Sequence, residues 1–236
     1  MSLTNQLLKY VNNYAVEVFK TIGGRYIPKK YNGRKPPLTN DTIEKIYKLA
    51  RETWDWDLLE GCMVIIFSLS TGIRTEESRI FDIDGIHLNG KESYVYIDNV
   101  KGSTRYGMPR ITPIMDGTED IFEKYLNRRK HVVRWSGSNN EAMFPNLTQP
   151  RKKYLTQQQF CLLKKPVEDI IGERIEIRAA RRAFGQRAID NGHDLSDISV
   201  AMGHMSTRTT EKYYCRVGNE KAVENMLKRK NSIDTH

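Results

Sequence analysis

Cysteine is scarce and scattered in this chain: three residues in 236, at positions 62, 161 and 215, with no Cys-x-x-Cys pair. That usage excludes a disulfide framework and fits a reducing compartment. Long apolar runs are missing as well. The most apolar stretch, MVIIF at 63–67, falls far short of the ~20 residues that a membrane-spanning helix requires. Five histidines form no His-Glu-x-x-His or other paired spacing, which argues against a zinc centre. The opening MSLTNQLLKY lacks the basic-then-apolar order of a secretory leader. These absences lead to the expectation of a soluble, cytoplasmic protein with no metal and no membrane partner. Positive charge, by contrast, is plentiful. Lys and Arg total 38 against 29 Asp and Glu, a formal net charge of +9. Such an excess suits a polyanionic partner such as DNA or RNA, although many basic proteins bind neither.

Periodicity divides the chain into a short leading segment, a large domain and a polar tail. Residues 4–20 carry apolar positions at helical spacing, and 21–37 (TIGGRYIPKKYNGRKPP) read as a linker rich in Gly, Pro and cations. Arg25, Lys29, Lys30, Arg34 and Lys35 make that linker either a strap that tracks phosphates or a merely solvated loop. The large domain starts near residue 38. Thr39 or Asn40 can cap a helix whose apolar face is Ile43, Ile46, Tyr47 and Ala50. Residues 57–70 are apolar around most of the circumference, which places that helix in the domain centre, and Gly72 can end it in a left-handed conformation. SYVYI (93–97) and PRITPI (109–114) read as two strands around a basic hairpin tip that carries Lys101 and Arg105. Helices are expected over about 118–135, 156–171 and 177–189, the last closed by Asn191-Gly192, with short helices near 194–202 and 207–216. The fold class is therefore mostly α with one small antiparallel sheet (α+β).

The helix at 177–189 is unusual in charge. At about 100° per residue, Ile177, Ala180, Phe184 and Ala188 share the core face, while Arg178, Arg181, Arg182 and Gly185 lie beside it. Three guanidiniums so close repel one another unless an anion sits between them. A solvated basic face is the ordinary reading of such a stripe. Because this one borders the apolar face, Arg181 is expected to be partly buried and to need an anionic partner, for which a ligand phosphate is a candidate.

Taken in order, STGIRTEE, VKGSTR, RAARRAF and AMGHMSTRTTEKYY resemble the tyrosine recombinase (phage integrase) family over about residues 38–217. The resemblance implies that family's catalytic-domain fold and DNA strand cutting and rejoining through a 3′-phosphotyrosine, without metal, ATP or other cofactor. It assigns Arg74 and Arg181 as the two phosphate-clamping arginines, Lys101 as the hairpin lysine, His204 as the histidine before the nucleophile, and Tyr213, nine residues beyond His204, as the nucleophile. Tyr214 lies about 100° further round a helix and reads as packing. Glu77 either orients Arg74 or caps its helix. Arg178 stands where the family carries His or Lys; because Arg does not deprotonate in a protein, it is a clamp and not a proton carrier. Arg182, Arg105 and the linker cations are candidate DNA contacts.

The resemblance also implies double-stranded DNA and a homotetramer on two sites, with a monomer or weak dimer when free. Residues 1–37 would be an N-terminal helix and basic linker, 38–217 the catalytic domain, and 218–236 a C-terminal tail helix that exchanges between subunits or folds back. A type IB topoisomerase-like enzyme and a non-cleaving DNA-binding accessory or decayed integrase are the alternatives.

Overall fold

The computed structural model describes residues 35–98, 109–149 and 151–204. The chain divides into two units, Met1–Lys35 and Pro36–His236, and the architecture that follows is that of the second. The helix expected over 4–20, the hairpin tip at 99–108, the helix expected over 207–216 and the tail lie outside the described residues.

Helix α1 (Asn40–Glu52) begins where the Thr39 hydroxyl accepts the Thr42 N–H at 3.2 Å. It buries Ile43, Ile46, Tyr47 and Ala50, the face expected from the sequence. In α2 (Trp56–Thr71) the Asp55 carboxylate accepts the Leu58 N–H at 2.9 Å. Every residue from Leu59 to Thr71 is buried, so this helix has no polar face and forms the axis of the core. It ends at Gly72 with φ +64°. A Cβ there would lie 2.6 Å from the Phe184 ring, so both the left-handed backbone and the close approach call for glycine. A short helix follows, α3 (Thr75–Arg79). Fewer than two turns long, it leaves no periodic trace in the sequence.

Strands β1 (Ile86–His87), β2 (Tyr94–Ile97) and β3 (Arg110–Pro113) form an antiparallel sheet in the order β1-β2-β3. The register sets Ile86 opposite Val95 and Ile97 opposite Arg110. The two longer strands fall where the sequence reading puts them; β1, only two residues long, was not expected. Val95, Ile97, Arg110 and Thr112 are buried, whereas Tyr96 and Ile111 are exposed.

After α4 (Glu119–Trp135), the single helical segment expected over 156–171 is instead two helices, α5 (Gln157–Leu162) and α6 (Lys165–Ile171). Pro166 is the cause. In the first turn of α6 its missing N–H leaves nothing unsatisfied, whereas in a continuous helix its ring would clash with the carbonyl of Leu162.

Helices α7 (Ile177–Asp190) and α8 (Leu195–Ala201) complete the described fold. Helix α7 packs along α2 in the most extensive contact between described elements. A satellite cluster of Phe184, Ala188, Ile198 and Met202 seats α8 on α7. On the other side, the Thr112 hydroxyl donates to Thr71 O and the Met115 N–H to Ser70 O, each at 2.9 Å. The C-terminal end of α2 is thereby held by the sheet and by α7 together.

Candidate active site

The last carbonyls of a helix have no partner within it, and its C-terminus carries partial negative charge. At the end of α8 three successive carbonyls meet three arginines. Arg110 donates from Nε to Ala201 O at 3.0 Å, Arg181 from Nη2 to Met202 O at 2.7 Å, and Arg74 from Nη2 to Gly203 O. Each arginine comes from a different element: β3, α7, and the junction between α2 and α3. Gly203 has φ +64°, and a Cβ on it would sit 2.9 Å from Cζ of Arg110. Only glycine lets this turn close over the guanidinium.

Glu77 organises one side of the cluster. Its carboxylate is buried and accepts from Arg74 Nη1 at 2.7 Å, Arg110 Nη2 at 2.6 Å and Arg110 Nη1 at 3.3 Å. It also accepts the backbone N–H of Arg74 at 3.1 Å, so Glu77 both orients Arg74 and caps α3. Burial alone would raise this carboxyl. The hydrogen bond and charge of Arg110, followed by the charge of Arg74, outweigh burial and hold it down at about 2.

Arg181 and His204 form the other side. Arg181 is 7% exposed. Its Nη1 donates to Gly72 O at the end of α2, and its Nη2 lies 2.9 Å from His204 Nε2. Guanidinium is a donor only, so Nε2 accepts and the ring proton resides on Nδ1. Burial, then the charges of Arg181, Arg74 and Arg110, push the imidazole down to about 3 against the opposing pull of Glu77. At neutral pH His204 is an uncharged ring, and its backbone N–H is held by Ser199 O at 2.8 Å.

Of the residues singled out in the sequence, Arg74, Glu77, Arg181 and His204 converge on this turn. Arg181 is buried, as its place beside the apolar face required. Arg178, one turn earlier on α7, is exposed. Arg182 is partly buried; it donates from Nε to Pro36 O at 3.0 Å and lies 3.6 Å from the Glu176 carboxylate. Lys35 is exposed. Lys101, Arg105, Tyr213, Lys29, Lys30 and Arg34 lie outside the described residues. Among the described residues no group of three or more His, Cys, Asp or Glu could hold a metal ion.

Arg110 is the residue that the sequence reading missed. The signal was present in PRITP: β3 buries Arg110 and Thr112 and exposes Ile111, the reverse of an ordinary half-buried strand. An inverted alternation of this kind marks a polar group with a buried task.

The same arrangement of elements occurs in solved structures. XerA recombinase matches with a TM-score of 0.62 at 18% identity, over 91% of this chain and 73% of that one. XerH site-specific recombinase, in a post-cleavage complex with palindromic difH substrate, matches with a TM-score of 0.63 at 20% identity, over 85% of this chain and 55% of that one. These likenesses establish the fold. In sequence, the chain is 29% identical over 178 residues to tyrosine recombinase XerC of Roseiflexus castenholzii, covering 75% of this chain and 54% of the relative. It is 26% identical over 189 residues to tyrosine recombinase XerD of Listeria monocytogenes, covering 79% and 60%. The chain thus spans little more than half the length of the curated relatives it matches. No described helix is long and apolar enough to cross a membrane. The model of the phage integrase family matches residues 36–220, more than three quarters of the chain, and this chain belongs to the phage integrase family.

Proposed function

We propose that this chain is the catalytic part of a site-specific DNA recombinase or integrase that cuts and rejoins strands through a 3′-phosphotyrosine on Tyr213. The observation that carries this reading is the convergence of Arg74, Arg181 and His204 on one turn, nine residues before Tyr213. Two guanidiniums from separate elements can neutralise the charge that grows on the non-bridging oxygens as phosphorus becomes pentacoordinate. In this reading the cations of the site lower the ordinary Tyr213 pKa of about 10 and favour its phenolate, the phenol proton passing to water. Attack of the phenolate oxygen on phosphorus expels the 5′-oxygen, which takes a proton from Lys101. A 5′-hydroxyl from the partner strand then reverses the step, so the covalent intermediate conserves the energy of the phosphodiester. His204, held neutral, serves as a hydrogen-bonding group to the phosphate and not as a charged clamp. Arg178, on the exposed side of α7, adds positive charge without proton transfer.

In this reading residues 38–217 are the breaking and rejoining domain, and residues 1–37 supply basic contacts along the duplex. The tail at 218–236 links subunits of a tetramer assembled on two sites. The partner is double-stranded DNA.

The test uses a pool of nicked duplexes of randomised sequence, in which loss of a short 5′-hydroxyl fragment traps any covalent adduct. The 236-residue chain should form an adduct that survives denaturation, and sequencing of the trapped DNA then yields the preferred site. Tyr213→Phe should abolish the adduct while keeping DNA affinity, and Tyr214→Phe should retain it. Adduct with Phe at 213 but not at 214 would put the nucleophile one residue further on; a chain that never forms adduct refutes the enzymatic reading.

A further inference from the structure

We infer that Arg110 is a positioning residue for strand cleavage: it aims Arg74 by way of Glu77 and fixes the Gly203–His204 turn by way of the end of α8. The inference rests on the recombinase reading above and deepens it.

The geometry is that of a rigid spacer. One planar guanidinium faces two elements at once. Nη1 and Nη2 take both oxygens of Glu77 at 3.3 and 2.6 Å, while Nε takes Ala201 O at 3.0 Å. Because these nitrogens lie in one plane at fixed angles, the separation of α3 from the end of α8 is set by the group itself. The side chain is 6% exposed and each of its three nitrogens is engaged within the protein. With both Nη groups on one buried carboxylate and Nε on a helix-end carbonyl, it acts through these neighbours.

Both neighbours lead to the candidate chemistry. Glu77 holds the guanidinium and the backbone N–H of Arg74. Ala201 opens the run of carbonyls whose next two members, Met202 O and Gly203 O, take Arg181 and Arg74. Gly203, pressed against the face of Arg110, is followed directly by His204. The strand that carries Arg110 is also anchored to the end of α2 through Thr112 and Thr71 O. Lysine at this position would keep the charge but lose the fork. A single ammonium can serve Glu77 or Ala201 O, and it imposes no spacing between them.

The experiment compares the full chain with Arg110→Lys and Arg110→Met on the nicked duplex recovered from the randomised pool. It reads single-turnover cleavage, affinity for uncut duplex, thermal midpoint and the pH profile of cleavage. Misplacing catalytic groups by about 1 Å costs on the order of 100-fold, so Arg110→Met should slow cleavage by about that factor and Arg110→Lys by about tenfold, with affinity within about threefold of the parent. The acid limb of the Arg110→Met profile should move to higher pH, because Glu77 loses the partner that keeps it ionised. A merely structural role would lower the amplitude without moving that limb.

Rates within about twofold of the parent on this ~100-fold scale, with an unmoved limb, overturn the inference. So does a loss accounted for entirely by unfolding, with neither variant showing a cooperative thermal transition. A parent that forms no adduct overturns the function and this assignment together, whereas a parent that cleaves alongside unaffected variants overturns the assignment alone.

Discussion

Two buried glutamates, one within α2 and one just beyond it, end in opposite charge states at neutral pH. Glu77, just past its C-terminal end, is 1% exposed, and Glu60, in its first half, is 5% exposed. Desolvation acts on both in the same direction. At Glu77 it is overcome by Arg110 and Arg74, and the carboxyl is held at about 2. At Glu60 burial dominates, Asp57 adds to it, and Arg129 only partly opposes it, so the group is pushed up to about 8. Arg129 is directed elsewhere: it donates to Ala142 O at 2.9 Å, to Met143 O at 3.2 Å and to Asn140 O at 2.5 Å. One oxygen of Glu60 has no hydrogen-bond partner. Proximity of an arginine is therefore not enough. A buried carboxylate stays ionised when guanidiniums point their N–H groups at it, and such aimed charge lies at the candidate site.

The largest effect expected from breaking this contrast is that of Glu77→Gln. It leaves Arg110 buried against a neutral amide and should remove about 3 kcal/mol of folding stability at pH 7, seen as a lower urea midpoint. The folded pKa of Glu77, about 2, lies below its ordinary value of 4.5. Its stabilisation is thus complete above pH 4.5 and is lost as pH falls through about 2. The gap between parent and variant should close over that acid range, and a constant gap would rule out the ion-pair account.

Glu60 has the opposite sign. Its folded pKa, about 8, lies above the ordinary 4.5, so the folded state binds more protons between those values and stability declines as pH rises through that window. Glu60→Gln should match the parent near pH 4 and exceed it by roughly 2 kcal/mol at pH 6, with a wider margin by pH 8. Urea titrations of both proteins across pH 4–8 decide the matter; parallel curves would mean that Glu60 is already ionised in the folded state.

The smallest effect sharpens the comparison. Glu60→Gln should leave single-turnover cleavage within about twofold of the parent, whereas Glu77→Gln should reduce it by ~100-fold through misdirected Arg74. Equal losses in the two variants would show that activity follows stability alone.

Much of the site is legible along the chain because its parts are local. The turn after α2 is written in Thr71-Gly72-Ile73-Arg74, and burial of Arg181 follows from its place beside Ile177 and Phe184 on one helix. What is not legible depends on what crosses from another element. Arg110 is separated from Glu77 by 33 positions and from Ala201 by 91, and periodicity within PRITP cannot say which element covers the inward face. The role of Glu77 was open for the same reason: its second arginine comes from the sheet. Among the helices, α3 is too short to show a period. The break between α5 and α6 was written in Pro166, but the apolar positions on either side disguise it as one segment.

The burial of α2 from Leu59 to Thr71 has a consequence in time. A helix with no solvent-facing side has no partial opening by which its amides can reach water, so their hydrogens exchange only through unfolding of the whole unit. Exchange measured at Cys62–Leu69 should therefore report the global free energy, and it should fall with Glu77→Gln by the full amount measured in urea. The corner at Gly72–Arg74, continuous with that helix, should keep its shape for the lifetime of the folded state, so that in the proposed reaction a DNA phosphate would meet it preformed.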